Sequence, residues 1–381
     1  MAKSRDLQSL REAIEQVDHE ILTHLRQRMT LVEEVVGAKL DRAVPFRDPP
    51  REEQVLQRVR HAAVEHGLDA HEVERLYRVI LEMSVSHQQA HVRSLATAPL
   101  RVAYQGVEGA YSHLTAQRRY SGAPGGVLLE GFETFHAAGQ AVLDGTADVA
   151  LLPIENTTAG SINETYDLLA AGGLTITAEE VSRIEHCLLA LPGTQLEELR
   201  VVLSHPQALH QCEDFLRTIP WVRPQATFDT AGSARKVQEG GDRSVAAIAS
   251  ESAAGRFGLE ILRRGIQSQE GNYTRFVELA LHPHPCPPGV PLKTSLLLVL
   301  AHRPGALAEL LSVFSRRGAN MSKIESRPIP STPWQYRFYL DLEGHAATEP
   351  IRGALEEARA HTQELRVLGT YPSAEGRSKS L

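Results

Sequence analysis

Between Ser4 and Leu40 the chain holds no proline and one glycine, Gly37, while apolar residues recur at Leu7, Leu10, Ile14, Val17, Ile21, Leu25, Val32 and Val35. That is a helical period sustained for about 35 residues. A helix this much longer than the globular norm needs partner helices along its length. The stretch from Arg42 to Arg47 interrupts it. Asp48-Pro49-Pro50 then reads as an N-cap with proline in the first turn of a second helix, which reaches about Glu65. Gly67 stops that helix, and a third runs from about Ala70 to Val92. The first block is therefore expected to be all helix.

Polar residues interrupt the apolar stripes of all three helices. Ile14 and Ile21 recur every seven residues, and the same stripe continues through Arg28, Val32, Val35 and Lys39. Arg28 and Lys39 thus share one face within about 16 Å. Glu52 precedes Leu56, Val59 and Ala63 on the second helix; Tyr77, Leu81, Ser84 and Gln88 line one face of the third. An unpaired charge facing a dry core is costly, so these groups should be paired or serve a ligand. Two cations, one carboxylate and two neutral polar groups suit a dianionic, hydroxylated small molecule. Arg11 lies 17 residues before Arg28, about 25 Å away along a straight helix, so one small molecule cannot touch both in one chain. Either Arg11 is an ordinary surface arginine or it enters the pocket of a second subunit.

Residues 5–92 resemble the all-helical chorismate mutase family, an intertwined dimer with two shared pockets. The resemblance places ligand contacts on Arg11 (from the partner chain), Arg28, Lys39, Asp48, Arg51, Glu52, Ser84 and Gln88. It implies rearrangement of chorismate to prephenate, a pericyclic step that needs no nucleophile and no proton transfer. Such a step needs the substrate held in a compact chair, with donors aimed at the ether oxygen that gains negative charge. Arg11 and Arg28 would clamp the two carboxylates. Lys39 and Gln88 would donate to the ether oxygen, and Glu52 would accept from the ring hydroxyl.

After a short linker at Ala96 to Pro99 the grammar changes. Short apolar runs at Arg101–Gln105, Val149–Leu152, Thr175–Thr177, Cys187–Ala190, Val201–Leu203 and Val245–Ile248 alternate with helical stretches. This predicts α/β layers around a mostly parallel sheet, with ligands where strands hand over to loops. Gly106-Val107-Glu108-Gly109 follows a strand, but neither GxGxxG nor GxxxxGK[ST] is present, which argues against a nucleotide site. Three further stretches read as loops: Pro153-Ile154-Glu155-Asn156-Thr157, Ser204-His205-Pro206-Gln207 and Asn272-Tyr273-Thr274-Arg275-Phe276.

Together these loops resemble prephenate dehydratase over residues 100–282, as two α/β lobes around a cleft. The Thr274-Arg275-Phe276 triplet is that family's diagnostic motif. The resemblance implies decarboxylative loss of water from prephenate to give phenylpyruvate, with Thr274 as the hydrogen-bond donor to the leaving hydroxyl. Glu155, Asn156 and Gln207 are candidate second members of the site. Arg275 either binds a carboxylate or pairs within the fold. Ser112 and His113 lie near the expected cleft edge. Dehydration of arogenate, which carries an amine in place of the keto oxygen, stays open as an alternative.

His282-Pro283-His284-Pro285-Cys286-Pro287-Pro288-Gly289 is a second linker, too dense in proline to build a core. Beyond it the order is strand, helix, two strands, helix, strand, a βαββαβ ferredoxin-like unit. Residues 294–372 resemble an ACT regulatory domain, with motifs Gly305-Ala306-Leu307 and Glu325-Ser326-Arg327-Pro328. The resemblance implies phenylalanine bound between two such domains.

The expected architecture is thus multidomain: an all-α three-helix domain over residues 1–95, an α/β two-lobed domain over 100–282 and an α+β ferredoxin-like domain over 294–372. Neither implied reaction needs a cofactor. At 381 residues, with 42% hydrophobic and 23% charged residues, the chain is globular. Forty Lys and Arg against 47 Asp and Glu argue against a nucleic-acid partner. Three widely spaced cysteines, Cys187, Cys212 and Cys286, make a disulfide framework unexpected. His87 and His91, and His282, His284 and Cys286, lack the further ligands and frame that a metal site requires, so no metal is expected. No run of about 18 apolar residues occurs, and the charged start has no apolar stretch behind it. A soluble cytoplasmic homodimer, or higher homo-oligomer, is the expectation.

Overall fold

The computed structural model describes residues 7–40, 49–95, 98–123, 125–287, 289–329 and 332–374. They form two compact units, residues 1–97 and 98–381.

The first unit is three helices: α1 (Leu7–Leu40), α2 (Pro49–Glu65) and α3 (Ala70–Leu95). Helix α3 packs against both others. Among the described side chains, the only apolar ones buried in this unit are Leu56, Ala63 and Ile80. Leu7, Ile14, Val17, Ile21 and Leu22 of α1 are more than half exposed. The apolar stripe read from the sequence is present but mostly uncovered within one chain.

The second unit begins with β1 (Leu100–Gln105), α4 (Tyr111–Tyr120), β2 (Val127–Phe132), α5 (Phe135–Leu143), β3 (Val149–Asn156), β4 (Gly160–Ser161), α6 (Asn163–Ala171) and β5 (Thr175–Arg183). The chain then crosses to a second lobe of β6 (Cys187–Ala190), β7 (Val201–Ser204), α7 (Pro206–Gln211), α8 (Glu213–Arg217), β8 (Arg223–Ala226), α9 (Thr230–Gly240), β9 (Val245–Ala249), α10 (Glu251–Phe257) and β10 (Glu260–Arg263). It returns as β11 (Tyr273–Ala280). The first sheet runs β2-β1-β3-β11-β5 with β4 on β3, and the second runs β10-β6-β9-β7-β8.

Two expectations are corrected here. The sheets are mixed rather than mostly parallel: β1, β2 and β3 are parallel, but the returning strand β11 is antiparallel to both β3 and β5. In the second sheet β6 is antiparallel to both its neighbours. The stretches around Glu155 and Thr274 are not loops. They lie on β3 and β11 and pair with each other, Thr274 opposite Asn156 and Arg275 opposite Glu155. Pro153 hid the first of these strands. The pairing passes from Arg275–Glu155 to Phe276–Pro153, a bulge at Ile154, which is where a sheet tolerates a residue without an N–H.

The remaining elements are β12 (Leu292–Val299), α11 (Ala306–Arg316), β13 (Met321–Ile329), β14 (Thr332–Glu343), α12 (Ile351–Ala358) and β15 (Glu364–Pro372). They form the expected βαββαβ unit, with sheet order β13-β14-β12-β15. Leu296, Leu298, Leu310, Phe314, Leu340 and Leu355 make a core between this sheet and its two helices. The opposite face of the sheet shares a core with the first lobe, where Leu297, Tyr339, Leu368 and Tyr371 join Ile154, Tyr166, Leu169 and Ile176. Gly369 makes the closest approach: a Cβ there would lie 2.0 Å from the carbonyl oxygen of Ile176 on β5.

Candidate active sites

A cavity of about 340 Å³ opens between the two α/β lobes, lined by β3, β11 and the starts of α4, α6, α7 and α9. Thr274, 8% exposed, sits on its wall beside Asn156, 3% exposed. The Asn156 side-chain oxygen accepts from the backbone N–H groups of Thr158 (3.0 Å) and Ala159 (2.9 Å), which can only donate. Its amide nitrogen must therefore face the other way. There it donates to Asn272 Oδ1 (2.8 Å), the Tyr273 carbonyl (3.0 Å) and Thr274 Oγ1 (2.9 Å). Because Thr274 Oγ1 accepts this bond, its own proton is free to donate elsewhere.

The same logic orients the next group. Gln211 Nε2 donates to Asn156 Oδ1 at 3.1 Å and to Thr158 Oγ1 at 2.6 Å. Gln211 Oε1 then accepts from Asn272 Nδ2 (3.1 Å) and from His186 Nε2 (2.8 Å). His186 is 2% exposed, and burial holds its pKa below the ordinary histidine value. With Nε2 placed to donate to Gln211, Nδ1 lies 3.0 Å from the Tyr111 hydroxyl, which donates its proton to the Glu185 carbonyl at 2.7 Å. A hydrogen-bonded chain runs from Thr274 through Asn156 and Gln211 to His186.

Gln207 and Ser112 also line this cavity. His113 is buried behind it, accepting from the Gly109 N–H at 3.3 Å. Glu155 and Arg275 do not line this cavity; Glu155 is corrected as a cleft contact, and of the two roles open to Arg275 the structure shows pairing within the fold. Side chains alternate along a strand, so each points to the face opposite its neighbour, Asn156 or Thr274. Arg275 donates to Glu179 (2.7 Å), Asp341 (2.7 Å) and the Tyr371 hydroxyl (2.9 Å). Glu155 pairs with Lys323 at 2.7 Å. Their charges tie the first lobe to the C-terminal sheet.

In the helical unit, half-buried Arg28 donates to Ser84 Oγ and, at 3.5 Å, to the Ile80 carbonyl. Burial pulls the guanidinium pKa below its usual value. Gln88 lies one turn beyond Ser84, 7% exposed, and its Oε1 has no partner among the described residues. Arg11 is exposed on the same unbroken helix as Arg28, so the separation read from the sequence stands. Arg51 bonds to Gln54 at 3.2 Å, and Glu52 lies in the first turn of α2. The Lys39 side chain and Asp48 lie outside the described residues.

Three family models match the chain in order: chorismate mutase type II over residues 10–89, prephenate dehydratase over 102–284 and the ACT domain over 294–360. The bifunctional chorismate mutase/prephenate dehydratase of Enterobacter agglomerans is 38% identical, over 98% of this chain and 97% of that protein. The chain belongs to the bifunctional chorismate mutase/prephenate dehydratase family. It is an enzyme of two activities on a multidomain scaffold. Among solved structures, the prephenate dehydratase of Arthrobacter aurescens in complex with L-Phe is 30% identical, with a TM-score of 0.66, covering 72% of this chain and 91% of that one. A chain described as GqqA, a novel type of quorum quenching acylase, is 36% identical, with a TM-score of 0.65, over 73% of this chain and 99% of that one.

Within the ACT domain, Gly305 caps α11 at φ +82, a conformation that suits glycine. The Glu325 and Arg327 side chains are both engaged with the dehydratase domain: Ser161 Oγ donates to Glu325 at 2.8 Å, and Arg327 donates to Asp167 at 3.0 Å. The linker residue His284 stands 3.4 Å from buried Glu278, and Cys286 Sγ meets the Thr370 carbonyl. Tyr111, His186 and Gln211 were not singled out from sequence as site residues. Gln211 stands one helical turn after Gln207, the one local cue; His186 has none. Among the described residues no helix is long and apolar enough to cross a membrane.

Proposed function

We propose that the helical domain rearranges chorismate to prephenate. The dehydratase cleft then converts prephenate to phenylpyruvate, and phenylalanine bound at the ACT domain inhibits that second step. The observation that carries this is the Asn156–Thr274 hydrogen bond, which leaves the Thr274 proton available to the departing hydroxyl. As that C–O bond breaks, the bond to the ring carboxylate breaks too, and its electron pair enters the ring. Carbon dioxide leaves, hydroxide takes up a proton to leave as water, and the ring becomes aromatic. Thr274 acts as a positioned donor to the leaving oxygen rather than as a strong acid. Asn156, Gln207 and Gln211 hold the polar wall around it. Acyl transfer has less support: His186 is bonded to Gln211 and faces Tyr111, and His205 Nδ1 accepts from the Gln207 N–H, so neither ring activates a serine or threonine.

In the mutase pocket Arg28 and Arg11 of the partner subunit seat the two carboxylates, while Lys39 and Gln88 donate to the ether oxygen. Glu52 accepts from the ring hydroxyl, and Asp48, Arg51 and Ser84 complete the wall. The exposed apolar stripe of α1 supports an intertwined homodimer or a higher homo-oligomer. Phenylalanine binds near Gly305, Ala306 and Leu307 and the segment Glu325, Ser326, Arg327 and Pro328. Since Glu325 and Arg327 already hold the dehydratase domain, that segment reads the effector through its backbone and through Ser326. Neither reaction calls on a cofactor or metal, and the free thiols go with a reducing, cytoplasmic setting.

A second reading is dehydration of arogenate. Glu164 and Asp229 line the cavity, with no Lys or Arg among the described lining residues, and a carboxylate there would pair with an ammonium. The deciding experiment feeds chorismate to the purified full chain, with and without phenylalanine, and follows prephenate and phenylpyruvate. Both products, with phenylpyruvate suppressed by phenylalanine, are expected. Prephenate accumulating alone, with arogenate consumed when supplied, would favour the second reading.

A further inference from the structure

Helix α6 is built into two domains at once. Its start, with the end of β4 just before it, supplies Ser161, Ile162, Asn163 and Glu164 to the dehydratase cavity. Its second half is gripped by three strands of the ACT sheet. From β13, Arg327 reaches both Asp167 oxygens, at 3.0 and 3.1 Å. From β14, the Tyr339 hydroxyl donates to the Tyr166 carbonyl at 3.1 Å, and the two tyrosine rings lie 4.6 Å apart. From β15, one Arg366 nitrogen donates to the carbonyls of both Leu169 and Ala170 at 2.9 Å at the helix end, where Leu169 also accepts from the Gly172 N–H. Ser161, just ahead of the helix, is held by Glu325 of β13.

An exposed ion pair such as Arg327–Asp167 contributes little alone. What matters is convergence: three strands of one domain fix the last turn and a half of a helix only about 13 Å long. A rigid helix of that length moves as one piece, so its cavity end follows its ACT end.

We infer that Arg366 and the Arg327–Asp167 pair are positioning elements for the dehydratase reaction, setting the place of the α6 cavity wall from the ACT sheet and carrying the effector's signal to it. Neither Asp167 nor Arg366 touches the cavity. Removing them acts on how well substrate is seated rather than on the bond-breaking step, a KM change without a matching kcat change. The regulatory half of this inference rests on the proposal that phenylalanine acts through the ACT domain; the positioning half does not.

The test uses the full chain with Arg366→Met and, separately, Asp167→Asn. Dehydratase KM and kcat, the half-inhibitory concentration of phenylalanine and its binding by equilibrium dialysis are measured, with mutase rate as a check of folding. Arg366→Met is expected to raise KM for prephenate about threefold or more with kcat within about twofold. It is expected to raise the half-inhibitory concentration about tenfold while phenylalanine still binds. Asp167→Asn should move both in the same direction by less. If wild-type protein neither binds nor responds to phenylalanine, the regulatory proposal falls, and the KM split alone judges the positioning role. Unchanged KM and unchanged inhibition in both folded variants would overturn the inference. Should Arg366→Met fail to fold, Asp167→Asn, whose side chain is 59% exposed, decides by the same criteria.

Discussion

The helical domain and the dehydratase cleft meet the same demand, a polar pocket for an anionic substrate, in opposite ways. In the cleft, Thr274, Asn156, Gln211 and His186 are each oriented by partners within one chain, down to a chain of donors pinned by backbone N–H groups. In the helical domain, Gln88 keeps an unpartnered buried oxygen, Arg11 stands far from Arg28 on one helix, and Ile14 and Ile21 remain 60% and 52% exposed. Burying the exposed half of each such side chain is worth about 1 kcal/mol, a gain that association with a second chain would supply. A site made of residues that pair among themselves can be completed by one chain. On the proposed reading, a site built on an unbroken helix of 34 residues is shared between chains, because the helix outruns the substrate.

Thr274→Ala separates the two sites most sharply. On the proposed mechanism it removes the donor to the leaving hydroxyl, and loss of such a donor costs about 100- to 1,000-fold in kcat. Mutase turnover of the same preparation should stay within about threefold, since substitutions that share no partners act independently. A coupled assay for prephenate and phenylpyruvate reads both, and equal loss of the two rates would remove the distinction between the sites.

The shared character of the mutase pocket has its own test. Arg11→Ala and Arg28→Ala chains are each expected to be nearly inactive as mutases. Unfolded together and refolded as a mixture, half the dimers should be mixed, each with one intact pocket, so mutase activity should return to about a quarter of wild type. Mixed dimers shown to form yet without mutase activity would count against a pocket shared between chains, whereas an Arg11→Ala chain active by itself would place Arg11 outside the pocket. Dehydratase activity should be untouched by either substitution.

How much of this was legible in the sequence follows from whether a signal is local. Helices α1, α2 and α3 announce themselves by a repeating apolar period, and the βαββαβ order of the ACT domain by alternation of short runs. Strands β3 and β11 read as loops because their cavity ends are polar and one carries Pro153; a strand that ends in a cavity loses the apolar look of a strand. That error had a consequence. Read as a loop, Thr274-Arg275-Phe276 puts three side chains near one ligand; as a strand, it sends Arg275 to the face opposite Thr274, into contact with Glu179 and Asp341. His186 and Gln211 meet across a cleft from different elements, and no spacing in the chain encodes that encounter.

The smallest expected effect bears on the self-contained cleft. Burial pushes His113, His186 and His205 below the ordinary histidine pKa, and all three stand at or behind the cavity. Unfolded, each would take up a proton near pH 6.5; folded, each resists until the pH is lower. Between those two points the unfolded chain binds more protons, so stability rises with pH through this window and is lost as pH falls below about 6.5. Denaturant unfolding of the full chain from pH 7.5 to pH 5, followed by a probe in the dehydratase domain, should show a falling midpoint. His186→Gln keeps a polar group of similar reach and removes one titrating ring, so its midpoint should fall less steeply over the same range. Parallel slopes for variant and wild type would mean that the buried imidazole is not what makes the cleft sensitive to acid.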